Sequence, residues 1–186
     1  MNRLALRLPL SALAVVAVVA MAIVLPTAFG ASAPAPAPVR KALAQSDHVQ
    51  GAPGRTMVLS KVTLPPGAQI AVHHHLGTQI SRVDAGTLTY TVRRGKAELF
   101  EGEAEEGQLV RTIKAGQTAR IGAGQWLVEQ PSDIHQAANR GSSPVVIYLA
   151  TLLKDGAAPS TPVDLHRHGA PVTPADSGAA PAAQAR

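Results

Sequence analysis

Residues 67 to 86 read GAQIAVHHHLGTQISRVDAG, and within them His73, His74, His75 and Gln79 stand inside seven positions. In an extended strand successive side chains point to opposite faces, so His73 and His75 share one face while His74 turns to the other. That pairing sets two imidazoles at metal-chelating distance. The spacer Leu76-Gly77-Thr78 is short enough for a turn that brings the Gln79 amide oxygen back beside them as a further donor. A run of histidines alone equally describes a solvated polar patch or an adventitious metal binder. The surrounding chain distinguishes these readings.

Around this stretch the sequence breaks into short apolar or alternating runs cut by Gly and Pro. Strands are expected at 56–64, 70–75, 79–84, 87–92, 96–100, 108–113, 118–121, 126–129, 135–139 and 145–153. The clearest is Thr87-Leu88-Thr89-Tyr90-Thr91-Val92, with apolar residues on one face and threonines on the other. No run keeps a helical period. Many short strands separated by turn signals predict an all-β antiparallel sandwich or barrel. The acidic stretch 101–107 (EGEAEEG) lacks the spaced ligands and glycine placement of a calcium loop and reads as a solvated hairpin connection.

The residues around the histidines carry a resemblance. Gly67, five residues, His73-His74-His75, three residues, Gln79, six residues and Gly86 follow the first motif of the cupin family, with Gln79 where that motif has Glu. Gly124, ten residues, His135, three residues and Asn139 follow its second motif. Pro131 falls inside it one place late, and Asp133 replaces the usual second glycine. The chain from 55 to 153 therefore resembles a small single-domain cupin. That resemblance implies a double-sheet jelly-roll barrel holding one divalent transition metal, Fe, Mn, Ni, Cu or Zn, on His73, His75, His135 and Gln79. Imidazole suits iron, copper, nickel and zinc, and a site with open positions admits substrate or dioxygen. His74 is expected on the strand surface.

An amide oxygen is a neutral, weaker donor than a carboxylate, so a metal on these four residues keeps its full charge, gaining Lewis acidity and losing retention. The sequence leaves open whether Gln79 coordinates, whether three histidines suffice, or whether the site is an empty vestige. Ser81 shares the parity of Gln79 and is expected to line the pocket, with Tyr90 a weaker candidate. No motif identifies a catalytic general base.

Outside 55–153 the composition changes. Arg3 and Arg7 precede an uncharged, largely apolar run from Leu10 to Leu25, followed by Pro26 and small residues, the pattern of an export signal with a cleavage site after Gly30. An uncleaved anchor is the alternative, since the run falls between a signal core and the roughly 20 residues that span a bilayer. Both place the domain outside the cytoplasm, periplasmic or secreted. Residues 31–54 read as an Ala/Pro-rich spacer and 154–186 as a flexible Ala/Pro-rich tail, in which His166 and His168 could bind metal only weakly.

Charge excludes little but is informative. The chain carries +5, yet residues 51 to 153 hold ten Lys or Arg against eight Asp or Glu, with no basic block and few aromatics, which argues against a nucleic-acid partner. Cysteine is absent, removing disulfides, thiolate ligands and Cys nucleophiles. The expected function is an exported metal-binding protein, a metal-dependent oxidoreductase of the dioxygenase type acting on a small molecule. The alternative is a non-catalytic barrel that binds a small molecule or metal, and a weaker third reading is a metal-free sugar epimerase or isomerase. Small proteins of that family dimerise through a sheet, and Ile80, opposite in phase to Gln79, is compatible with a homodimer.

Overall fold

The computed structural model describes residues 35–165, so the expected signal or anchor, the proximal part of the spacer, and the histidines at 166 and 168 lie outside the described residues. Twelve strands and no α-helix are found among the described residues: β1 (Val39–Ser46), β2 (Arg55–Leu64), β3 (Gln69–His74), β4 (Gly77–Ala85), β5 (Thr87–Arg94), β6 (Lys96–Glu101), β7 (Gln108–Lys114), β8 (Thr118–Gly122), β9 (Trp126–Glu129), β10 (Ile134–Ala138), β11 (Val145–Lys154) and β12 (Thr161–Pro162). They form a seven-stranded sheet in the order β1-β2-β11-β4-β9-β6-β7 and a five-stranded sheet in the order β12-β3-β10-β5-β8. Every pairing is antiparallel. This is the double-sheet jelly roll expected from the motifs. It is an open sandwich and not a closed barrel, because each sheet ends in free edges and no strand of one pairs with a strand of the other.

All ten expected strands are present within a few residues of their predicted limits. Two strands fall outside the expected domain. β1 lies in the stretch read as spacer and pairs with β2, from Val39↔Thr63 to Ser46↔Met57 with a bulge at Ala42/Ala44. β12 lies in the stretch read as tail and pairs with β3 at Thr161↔His74 and Pro162↔His73. The folded region therefore extends beyond 55–153 at both ends. The acidic connection 102–107 joins β6 to β7 as an almost wholly exposed hairpin loop, where Arg82 pairs with Glu103 at 2.9 Å.

Alternation sorts the side chains. In β11 the residues Val145, Ile147, Leu149, Thr151 and Leu153 are buried while their neighbours are less so. The inward apolar residues Val62, Leu64, Val83, Leu99, Leu127 and Ile147 of the large sheet meet Leu88, Val92 and Ile121 of the small one in one core. Burying side chains of this size contributes about 1.5–3 kcal/mol each. Toward one end of the sandwich the interior turns polar: Ser60, Gln79, Ser81, Glu129, Thr151 and the three histidines at 73, 75 and 135 are all buried. The register explains this change. Thr151, Gln79 and Glu129 stand side by side on β11, β4 and β9, forming one inward-facing polar row across the large sheet.

Candidate metal centre

The small sheet supplies two of the histidines. His73 on β3 is directly opposite His135 on β10, and their rings meet edge to face at 4.4 Å between centroids. His75 follows β3 by one residue and keeps its inward phase, with its ring 4.9 Å from that of His73 and 5.1 Å from that of His135. His73, His75 and His135 are 6, 1 and 2% exposed, whereas His74 is half-buried on the other face. One ligand atom from each of the three lies within 4.8 Å of the others.

Two of the rings are locked by backbone carbonyls. Nδ1 of His73 donates to the Ala71 carbonyl and Nδ1 of His75 to the Pro159 carbonyl, both at 2.7 Å. A carbonyl only accepts, so each Nδ1 carries the proton and each Nε2 is left as the ligating atom, the usual outer support of a metal-binding imidazole. His135 lacks such a partner: its Nδ1 is buried without a hydrogen bond. Its ring is instead stacked on Tyr90 at 5.1 Å, so Tyr90, the weaker expectation, touches the site. Ser81 is buried one inward position farther along β4.

Gln79 is brought to the cluster, but with its nitrogen foremost. Its Nε2 lies 3.2 Å from Nε2 of His75 and donates to Oε2 of Glu129 at 2.5 Å, while its Oε1 is buried with no partner. The reverse orientation would press the amide oxygen against a carboxylate oxygen. An amide N–H cannot ligate a metal, so Gln79 would have to turn to act as the expected oxygen donor.

Glu129 is the residue that sequence reasoning missed. It is 2% exposed, with Oε2 3.5 Å from Nε2 of His75 and Oε1 3.6 Å from Nε2 of His135. A signal was present in the alternation of Trp126-Leu127-Val128-Glu129, which puts Glu129 on the same inward face as Leu127. Only the pairing of β9 with β4 makes that position part of the site.

Electrostatics agree with a cation-ready centre. Burial lowers the His73 pKa from 6.5 to about 3, assisted by the neighbouring charges of His135 and His75. Burial also lowers that of His135, against the pull of Glu129. Glu129 is raised by burial, but the positive potential of His135, His75 and His73 outweighs this and holds it well below the usual carboxylate range. The Tyr90 hydroxyl lies near Glu129 but makes no hydrogen bond, and burial followed by the Glu129 charge pushes its pKa up. The centre thus combines neutral imidazoles at 73 and 135 with an ionised carboxylate and a protonated phenol. Deprotonated nitrogen and oxygen donors in this arrangement fit a divalent metal of the imidazole-loving class.

The other motif residues are structural. Asn139 donates to the carbonyls of Leu64 at 2.9 Å and Ser143 at 2.8 Å, and accepts from the Gly141 amide at 2.9 Å. Asp133 fills the place of the absent glycine by accepting from the amides of Gln130 at 2.9 Å and Lys96 at 3.1 Å, which sets the turn into β10.

No family model and no curated protein matches the chain. Among solved structures it is similar to a cupin superfamily protein from Desulfitobacterium hafniense DCB-2, at 17% identity over 62% of this chain and 77% of that one, with a TM-score of 0.41. It is also similar to a cupin 2 domain-containing protein from Halorhodospira halophila, at 14% identity over 70% and 72% of the two chains, with a TM-score of 0.47. A DMSP lyase from Ruegeria pomeroyi DSS-3 is similar over 55% of this chain and 41% of its own, at 16% identity and a TM-score of 0.39. At such identities the likeness is one of fold.

Proposed function

We propose that this chain is an exported metal-binding protein of the cupin fold and a metal-dependent oxidoreductase of the dioxygenase type, acting on a small molecule. The observation that carries the reading is the trio of buried imidazoles from β3, the residue after it, and β10, two of them with Nδ1 fixed on backbone carbonyls. His73, His75 and His135 would hold the metal, with iron, nickel, copper and zinc suited to imidazole and manganese more to carboxylate oxygen. When bound, such an ion supplies Lewis acidity and a place for dioxygen or a substrate oxygen. The chain's own part is to exclude water by burial, to orient His135 through the Tyr90 ring, and to keep a phenolic proton on Tyr90 beside the centre.

Export rests on the basic and apolar pattern of residues 3 to 33, and a small-molecule partner on the interior position of the cluster. The test is oxygen uptake by the metal-loaded protein against small phenols, diketones and thiols. Turnover that His75→Ala abolishes supports the enzyme reading; metal binding without turnover on any of these classes sinks it. One observation favours the non-catalytic alternative, a barrel that binds metal or ligand without reaction: all three imidazoles are at most 6% exposed, so a substrate must enter a closed interior.

A further inference from the structure

The residue at which the first motif departs is Gln79, where a carboxylate was expected, and the residue paired with Gln79 across the β4–β9 ladder is a buried glutamate. We infer that the carboxylate of this centre has moved one strand sideways: Glu129 is its anionic ligand, and Gln79 is the positioning residue that aims it. The inference rests on the metal-binding reading above and deepens it.

Three observations support the reassignment. The first is distance. Two donors held about 2.1 Å from one ion at a tetrahedral angle stand about 3.4 Å apart. Glu129 places one oxygen 3.5 Å from Nε2 of His75 and the other 3.6 Å from Nε2 of His135. Each separation, one from each oxygen, is long for a hydrogen bond and close to what two ligands of a shared cation require. The carboxylate lies outside the 4.8 Å grouping of the three histidines and would turn to bring one oxygen to all of them. The second is pairing. Among the described residues, the groups within 4.0 Å that could balance Glu129 are these two imidazoles, with no Lys or Arg among them. Arg40 feels the Glu129 charge only from beyond that distance. A carboxylate 2% exposed with no cation in contact is costly in a protein interior, and a divalent ion between it and the histidines removes that cost.

The third observation is the amide. Gln79 spends its N–H on Glu129 Oε2 and leaves its own Oε1 buried and unpartnered. A side chain held in that way acts as a donor that orients a carboxylate, the outer-sphere role that supports ligating carboxylates in metal sites. The exchange also conserves charge. Three neutral imidazoles and one carboxylate around a divalent ion give the same net charge whether the carboxylate stands on β4 or on β9.

The experiment uses the full mature chain and Co2+ as the probe, with affinity from chelator competition and the ligand set from the visible absorption of the bound ion. Glu129→Gln keeps size and shape. It is expected to weaken Co2+ binding by about 100-fold or more and to change the visible bands, while the thermal midpoint of the metal-free protein stays level or rises because a buried charge is gone. Gln79→Ala is expected to weaken binding by about 10-fold with the bands little altered, as for a residue acting through another. The double exchange Gln79→Glu with Glu129→Gln restores a carboxylate on β4 and is expected to recover most of the affinity, which also guards against misfolding of a single variant.

If Glu129→Gln binds Co2+ like the parent while His135→Ala does not, the metal centre stands and the assignment of Glu129 is overturned. A larger loss in Gln79→Ala than in Glu129→Gln also overturns it, in favour of Gln79 as ligand. A parent protein that takes up no Co2+ brings down the metal reading itself.

Discussion

His73 is an imidazole that folding keeps neutral, without the second proton of the imidazolium, and this has a measurable consequence in the metal-stripped protein. Its pKa falls from 6.5 in the open chain to about 3 in the fold, so between those values the unfolded chain binds more protons than the native one. Stability must then rise with pH across that window. The contribution is complete above about pH 6.5 and declines as pH falls toward 3, by about 1.4 kcal/mol per pH unit for each such histidine. His135 is shifted the same way, and Glu129, also depressed, adds its share below the ordinary carboxylate pKa. Urea unfolding of chelator-treated protein at pH 7, 6 and 5 checks this, and a midpoint that does not move across that range contradicts it. The inward phase of His73 and His75 was legible in the sequence because strands alternate with period two. Glu129 was not, since one strand's alternation says which face a residue takes and nothing about which strand lies beside it.

The ten strands between Arg55 and Lys154 were legible as elements because Gly and Pro punctuate them and because their buried residues alternate. β1 carried no such signal. All eight of its residues are exposed, so its place comes from the backbone edge that β2 offers and not from a buried face. β12 has two residues and one is Pro162, too little for any pattern. Turns, by contrast, carry their own chemistry, and one of the tightest here lies between β5 and β6. Gly95 has φ of 77°, and a Cβ there would collide with Asp133 Oδ1, which accepts the Lys96 amide. Gly95→Ala is therefore expected to cost roughly 2–4 kcal/mol, from a left-handed alanine and the displaced carboxylate together. Gly116→Ala, at φ 82° with no neighbour near its Cβ, should cost about 1–2 kcal/mol from conformation alone. Chemical denaturation of the two variants gives the comparison, and equal losses would remove Asp133 from the account. Because Asp133 shapes the entry to β10 two residues before His135, Gly95→Ala should also weaken metal binding, whereas Gly116→Ala should not.

At the scale of the whole molecule, the two sheets meet around a centre whose parts come from chain segments far apart in sequence. The small sheet contributes His73 and His135, the large sheet Gln79 and Glu129, and among the described residues after β11 the contribution is a carbonyl, that of Pro159. Sequence motifs record side chains at fixed spacings, which is why the histidines could be read and the Pro159 carbonyl could not. That carbonyl fixes the proton of His75 on Nδ1, and the residues just beyond it hold β3 in place. Thr161 and Pro162 pair with His74 and His73, the Val163 amide donates to Val72 at 3.0 Å, and Val163 is 7% exposed. A chain ending at Asp155 loses all of these contacts while keeping every candidate ligand. A chain ending at Leu165 keeps the contacts as well. The first truncation is expected to lower metal affinity by about 10- to 100-fold, since His75 loses the partner that sets its tautomer and β3 loses an edge neighbour. The second is expected to bind as the full chain does. Chelator competition on both, with circular dichroism to confirm that the β fold persists, decides the matter: equal affinities would mean that the His75 ring is held by β3 and β4 alone and that the segment after β11 is no part of the centre.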